Sequence, residues 1–457
     1  MRKFLQRMLL MILCMAMCVL AAACSGTPDT PDDPDDPSTN VKLKIQSAAP
    51  LKQNYLSLLR SNEEGSQLYN QALFTKKLVE GFKEICPNVT LSFIEDGWGD
   101  ALYQKQQLYI RDFNAGGQMA VDVMIGETYM GYFAENNVFL PLDQSKFNVV
   151  EGVYADTVVN GEMYCVPMCT GICGLQYNTQ ILTEVGIPED KWVPATWDEL
   201  LENCRIVSEY AAAHPDPNSG KIRYGGIVMN NVSGMSSAFR ALPFMRSAGG
   251  DFMNENGELI VDSEENLEAF TYLRKLAQYA YADSLTQGSE DTLQFYFTNQ
   301  GYGAYMIEGQ WPMASAGEHI KSAPLPAAKE GETAGNTYMS SVMFGIVRGT
   351  RYQNEAQKFL EYLTSAEVQQ WFYELDGRLP VNKEILSSEE IRTVHPNINS
   401  YIDVLEAGNI PGGLAAFTKN VNDIWTRWGS FYSDVLTSDK DIATELKSLS
   451  DFIKGKM

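Results

Sequence analysis

The stretch GEMYCVPMCTGICGLQYN, Gly161 to Asn178, is the part of the chain on which the arrangement of the rest depends. Within it Cys165, Cys169 and Cys173 recur every fourth residue, a spacing that first suggests a metal or cluster site. Thiolate zinc sites usually offer C-x2-C pairs and need four ligands, and iron–sulfur sites have their own spacings. The run C-x3-C-x3-C matches none of these closely. An extended strand turns the three thiols to one face, but Pro167, Gly171 and Gly174 are expected to break any regular strand or helix through them. The thiols read as small apolar side chains filling a core, and no metal or other cofactor is expected.

Outward from this stretch, strands and helices alternate. Val41, Leu43 and Ile45 alternate with Lys42, Lys44 and Gln46, the period of a strand, and a folded domain begins there. From Phe74, the apolar Leu78, Phe82 and Ile85 share one helical face, and Pro87 ends that helix before the strand VTLSFI. A second helix from Asp100 to Asn114, closed by Gly116 and Gly117, leads into the buried-type strand VDVMI at 121–125. Thr196 with Glu199 forms a capping box opening the helix WDELLENCRIVSEYAAA, and Thr364 with Glu367 repeats that signature before VQQWFYEL. Strands are expected at 224–229, 303–307 and 342–347, and helices over 383–457. This alternation points to an α/β protein with mostly parallel, helix-covered sheets. No Pro/Gly-rich break separates two halves, so the lobes are expected to be joined by strands that the chain crosses several times.

With 457 residues, 45% of them apolar, the chain has material for two or three domains, or for one bilobed protein with two cores. Arg2, Lys3 and Arg7 precede the unbroken apolar run Met8 to Ala23, the pattern of a secretory signal over residues 1–23. That run is shorter than the roughly 20 residues a membrane-spanning helix needs. Ala21, Ala22 and Ala23 before Cys24 resemble the lipobox of bacterial lipoproteins, with Ala21 where a leucine is usual. Cys24 is therefore expected to carry lipid and to anchor the chain to a membrane. Residues 24–40 place Pro28, Pro31, Pro34 and Pro37 every third residue with aspartates between them, an extended, self-repelling spacer of about 50 Å if wholly polyproline-like. Signal removal takes three cations from a chain whose formal net charge is already −23, and such a surface repels nucleic acid. Once Cys14 and Cys18 leave with the signal and Cys24 is lipidated, Cys86, Cys165, Cys169, Cys173 and Cys204 remain, an odd set that is no disulfide framework.

The chain shows no G-x-S-x-G elbow, no G-x-x-x-x-G-K-[ST] loop and no H-E-x-x-H. Its histidines, His214, His319 and His395, are far apart, so triad and zinc hydrolysis have no support. A glycosidase needs only two carboxylates at a set separation, and 58 acidic residues leave that alternative open. Aromatic and polar residues gather instead at strand ends: Trp98 in DGWGD, Glu127 and Tyr129 in GETY, Trp311 in EGQW. Ligands bind at the carboxyl ends of strands in open α/β sheets. Flat apolar rings beside carboxylates that accept hydroxyl hydrogen bonds suit a sugar.

The segments AVDVMIGET, NVFLPLD, YCVPMCTGICGLQYN, PATWDELLENC, GAYMIEGQW, NEAQKFLEYLTSAEVQQ and GRLPV, in this order, resemble the extracellular solute-binding family 1 proteins. These are the maltose-binding-protein-like lipoproteins that feed ABC importers, and the similarity runs from about residue 41 to the end. The resemblance implies a bilobed, periplasmic-binding-protein-like α/β fold, with two mostly parallel sheets joined by a multi-strand hinge. Residues 41–168 plus 343–380 form one lobe and 169–342 plus 381–457 the other, with Gly161–Asn178 as the first crossover, entering the second lobe near Cys169. It implies a monomeric binder without catalytic activity, closing about its hinge. Such a protein delivers a carbohydrate, here an oligosaccharide or sugar derivative, to ABC transporter permease subunits at the outer face of the bacterial cytoplasmic membrane. By position it brings Gly126, Glu127, Tyr129, Thr170, Gly171 and Trp311 to the cleft. It adds Phe239 in SSAFRALPFMRSAGG, with Ser237 and Arg240 beside it, and Arg378 before LPV. In FTKNVNDIWTRWGS, Trp425 matches a stacking tryptophan, with Trp428 on the same helical face as a core residue.

The departures also carry meaning. Maltodextrin binders place an aromatic where this chain has Gly126 and a glutamate where it has Gly171, which implies a ligand other than maltose. Ser47, Ala48 and Ala49 lack the charged pair of maltose binders, and residues 51–67 look like an insertion. Two other readings accompany this one: a secreted glycosidase or lyase, which turnover of oligosaccharides reveals, and a surface lipoprotein adhering to intact polysaccharide.

Overall fold

The structure, a computed structural model, describes residues 40–457 except 49, 128, 151–152, 154–157, 233, 255, 338 and 407–419. The expected signal, the Cys24 lipid site and the spacer up to residue 39 lie outside the described residues. Among the described residues eleven strands follow in chain order: β1 (Val41–Ser47), β2 (Val89–Glu95), β3 (Val123–Gly126), β4 (Val158–Val159), β5 (Glu162–Met163), β6 (Cys165–Asn178), β7 (Gly225–Val228), β8 (Gly303–Gly309), β9 (Ile320–Ala323), β10 (Met339–Ile346) and β11 (Leu379–Pro380).

The alternation read at the start of the domain becomes β1, with Val41, Leu43 and Ile45 buried and Lys42 and Lys44 exposed. The helix Gln67–Ile85 carries the chain back to β2, burying Phe74, Leu78 and Phe82, and Ser66 caps it by accepting a hydrogen bond from Tyr69 N. Ile85, expected on the same face, stays 53% exposed in the last turn. The β4–β5 hairpin turns through Asn160 and Gly161, both at positive φ (52° and 83°), the Asn-Gly pair that a tight two-residue turn favours.

In the first lobe β2, β1 and β3 are parallel, and β10 joins β3 antiparallel. In the second lobe β7 and β8 are parallel, while β8 and β9 both run against β6. The sheets are thus mixed, because the strands that cross between lobes run against the parallel ones. β6 belongs to both: Cys165–Ile172 pairs with β10, and Cys173–Tyr177 pairs with β8. The change of partner from β10 to β8 falls between Ile172 and Cys173.

β6 also corrects the expectation that Pro167, Gly171 and Gly174 interrupt it, since it runs unbroken and almost wholly buried over fourteen residues. At Pro167 the register against β10 shifts, so that Met343 faces Pro167 and Val342 faces Cys169, a bulge that accommodates a residue with no N–H. Gly174 serves packing: a Cβ there would lie 2.6 Å from Cε1 of Tyr401. The strand's length also separates the three thiols. Cys165 joins the cluster of Phe133 and Phe139, Cys169 the main first-lobe core, and Cys173 the second-lobe core. All three are buried, and burial pushes each thiol well up, Cys169 to about 12. Such thiols stay protonated and inert.

The capping box at Thr196 forms, with Thr196 Oγ1 accepting from Glu199 N (3.3 Å) and the Glu199 carboxylate accepting from Ala195 N (2.7 Å). The second one moves by a residue. Ser365, not Thr364, caps the helix Ala366–Asp376, because Thr364 closes the preceding helix Gln353–Leu363, with its hydroxyl donating to Leu360 O (3.0 Å). Just after β11, Lys383 N donates to Asn148 O (3.0 Å), and Val149 bridges Asn382.

Candidate ligand-binding cleft

Where β6 hands over between lobes, residues of both enclose a cleft of about 520 Å³. On the first lobe, Trp98 and Gly99 stand in the turn before the helix Asp100–Asn114, Glu127 follows β3, and Arg378 precedes β11. Thr170 and Gly171 supply the floor. On the second lobe Phe239 and Arg240 come from the helix Met235–Ser247, Glu290 from the start of the helix Glu290–Thr298, and Trp311 from the turn after β8.

The second-lobe wall is an aromatic pair on a charged base. Trp311 and Phe239 lie 5.4 Å apart between ring centroids, and the Arg240 guanidinium sits 5.0 Å from the Phe239 ring and 5.7 Å from that of Trp311. The Trp311 ring folds back over Gly309, where an added Cβ would lie 1.9 Å from Cζ3 of the indole. We expect Gly309→Ala to displace Trp311, which a shift in tryptophan emission checks.

Beneath the rings Arg240, 4% exposed, donates to Glu290 (2.6 Å), to Glu308, and to Ser236 Oγ (2.7 Å). Glu308 is wholly buried on β8 and also accepts from Gly309 N (2.8 Å). Burial pushes the Glu308 carboxyl up to about 7, although Arg240 draws it down. Burial works against ionisation of Glu290 too, but there the Arg240 guanidinium prevails and holds the carboxyl below its ordinary value. On the opposite wall Arg378 pairs with the buried Asp376, which also accepts from Gln71 Nε2 (3.0 Å). Burial disfavours the charged Arg378, and Asp376 more than compensates. Charged groups that hold one another in this way keep fixed orientations and offer remaining lone pairs and N–H groups to a polar ligand.

Of the residues singled out in the sequence, Trp98, Glu127, Thr170, Gly171, Phe239, Trp311 and Arg378 line this cleft. Tyr129 does not: it is 5% exposed and packs edge-on to Tyr103 and Phe133, because β3 ends at Gly126 and the chain turns back into the helix Met130–Glu135. Trp425 does not either. It is 2% exposed, with its ring 5.8 Å from Phe252 and 6.4 Å from Trp428, in the second-lobe core. Trp428 shares that core and donates its indole N–H to Ser237 Oγ (3.1 Å). Lys52, Gln71, Glu290 and Gln294 line the cleft without having been singled out. Ser289 caps its helix and Glu290 and Asp291 follow in the first turn, a readable helix start. Nothing local shows that this start faces a cleft, and Lys52 lies in the stretch that looked like an insertion.

The family described as bacterial extracellular solute-binding protein matches residues 65–370 of this chain. The chain belongs to that family. Among its solute-binding relatives, a putative binding protein of Brucella abortus is 25% identical over 353 residues, 72% of this chain and 79% of its own length. The arabinooligosaccharide-binding protein of Halalkalibacterium halodurans is 28% identical over 220 residues, 46% of this chain and 45% of its own. The fold is that of the maltose-bound MalE3 of T. maritima (TM-score 0.72, 20% identity, covering 91% of this chain and 99% of that one). It is equally that of UgpB from Mycobacterium tuberculosis in complex with glycerophosphocholine (TM-score 0.72, 17% identity, 91% and 98%). Among the described residues no helix of this solute-binding protein is long and apolar enough to cross a membrane.

Proposed function

We propose that this protein captures a carbohydrate, an oligosaccharide or sugar derivative, between its two lobes and delivers it to the permease of an ABC importer, without turning it over. The observation that carries the reading is the pairing of Trp311 and Phe239 with the matched charges Arg240–Glu290 and Arg378–Asp376 in one cleft. A sugar ring has apolar faces that stack on such rings and hydroxyls that bond such charged groups. The names of the relatives agree: arabinooligosaccharide-binding in Halalkalibacterium halodurans and multiple sugar-binding in Streptococcus mutans. The Cys24 anchor and the Pro/Asp spacer complete the proposal, holding a monomer outside the cytoplasmic membrane. In it, residues 41–168 with 343–380 move as one lobe against the remainder.

Thermal-shift screening against neutral mono- and oligosaccharides tests the ligand class, because a ligand bound only by the folded state raises its apparent stability. Chromatography of the incubated sugars must show no cleavage products; products establish the glycosidase or lyase reading instead. With a sugar from that screen, Trp311→Ala is expected to weaken binding tenfold or more, about 1.4 kcal/mol. Ligand-free unfolding should change little, because that ring lines the cleft and is not fully buried. Calorimetric titration with unchanged affinity removes Trp311 from the site.

A further inference from the structure

The two lobes share β6, so each edge of β6 must pass from first-lobe partners to second-lobe partners. On one edge β11 pairs as far as Thr170, and β8 takes over at Cys173. The chain after β8 turns away at Gln310 and leaves that rung without a strand. The Gln310 side chain occupies it. Wholly buried, it accepts from Ile172 N through Oε1 (3.3 Å) and donates to Thr170 O through Nε2 (2.8 Å). On the other edge β10 pairs as far as Ile172, and β9 takes over at Leu175. There Thr337, 3% exposed, accepts from Cys173 N (3.1 Å) and donates to Cys173 O (2.9 Å) through one hydroxyl.

A primary amide has the acceptor and donor of a peptide group, and a hydroxyl is both donor and acceptor, so each imitates a strand residue. The mechanical consequence differs from that of a strand. A continuous backbone ladder resists rotation of one sheet against the other, because its rungs are fixed by strand geometry. Side-chain groups reach their partners through rotatable χ angles and can follow a rotation while the backbone groups of β6 stay satisfied.

We propose that Gln310 and Thr337 splice the two ladders of β6 and are the positioning residues of the hinge, setting how the lobes are disposed before any ligand arrives. Gln310 lies between Glu308 and Trp311 in sequence and grips both sides of Gly171. The aromatic wall and the cleft floor therefore meet at this pivot. The inference rests on the two-lobe fold and holds whatever the ligand is.

Two measurements on the full ligand-free chain test it. Ile172, Cys173, Val166 and Leu175 are all buried on β6. Amide hydrogen exchange in the wild-type protein is expected to be faster at Ile172 and Cys173, whose amides donate to side-chain oxygens at the ends of the ladders, than at Val166 and Leu175, which lie inside the runs paired with β10 and with β8 and β9. Equal protection along the strand overturns the proposal. For the second, spin labels at Lys83→Cys and Lys275→Cys, exposed on helices of opposite lobes, report the interlobe distance. Gln310→Met and Thr337→Val should each shift and broaden that distribution, and Thr337→Ser should restore it. Distributions identical to wild type in both variants overturn the assignment, as does Thr337→Ser behaving like Thr337→Val. Should either variant fail to fold, the wild-type exchange pattern decides alone.

Discussion

Replacing Arg240 with methionine is expected to lower the unfolding free energy by about 3–5 kcal/mol at pH 8, the scale on which removing one partner of a buried ion pair strands the other. Glu308 is the stranded group, wholly buried on β8, with Arg240 as its only cationic hydrogen-bond partner among the described residues. The pH dependence has a definite sign. An unfolded glutamate titrates near 4.3, roughly, while burial lifts Glu308 in the fold to about 7. The folded state therefore holds a proton that the unfolded state has lost. That contribution to stability is fully present below the unfolded value and disappears as pH rises through the folded one. Without Arg240 the carboxyl rises further, so the deficit of the variant should be largest at pH 8 and should shrink toward pH 5. Glu290, which Arg240 draws downward, contributes above its unfolded value and is lost only as pH falls below it, so its window lies lower and does not mask this one. Urea titrations at pH 5 and pH 8 check the prediction. The double change Arg240→Met with Glu308→Gln should recover the part of the loss that Glu308 accounts for, because the only carboxylate then without its cation is Glu290, which is partly exposed and still accepts from Ser236 Oγ. A single variant as stable as wild type at both pH values would falsify the assignment of Glu308 as a buried, Arg240-dependent group.

Trp425→Ala is expected to cost about 3–5 kcal/mol of stability, the range for emptying a large aromatic from a core. Its ring fills the space between Phe252 and Trp428, with Ile424 and Phe431 in the same cluster. This reverses the expectation from the family resemblance, in which Trp425 stacks on ligand. The contrast with Trp311 makes the test sharp. Trp311→Ala should lower affinity and spare ligand-free unfolding, whereas Trp425→Ala should lower the unfolding midpoint and spare the affinity of whatever protein remains folded. Denaturation and sugar titration of both variants give the comparison. If Trp425→Ala binds sugar tenfold more weakly with an unchanged midpoint, the ring belongs to the cleft after all.

How far the site could be read in advance depended on what surrounds each residue. Trp98, Glu127 and Trp311 sit immediately after strands whose ends meet the cleft, so a local pattern was enough. Tyr129 stands close behind Glu127, but the helix start turns its ring inward onto Tyr103 and Phe133. Trp425 and Trp428 lie one helical turn apart and both fall on the buried face of the helix Val421–Thr437. A period of 3.6 residues shows that such a pair shares a face, and says nothing of what meets it.

The amino-acid sequence by itself determined the alternation of strand and helix, the buried faces of β1 and the helix Gln67–Ile85, and the apolar character of Gly161–Asn178. Each follows from short-range periodicity and backbone preference, which act over a few residues. Only the tertiary structure decided that the cysteine-bearing stretch is one unbroken strand serving two lobes. Pro167 is tolerated because β6 itself bulges beside it at Met168, the extra residue against β10, and Gly174 is there because Tyr401 presses on it. The three thiols part company because the strand passes through three different packing environments. The splice at its centre joins Gln310 to Thr170 across 140 positions of sequence. Contacts at that separation are chosen by which elements pack together, and no local pattern encodes them.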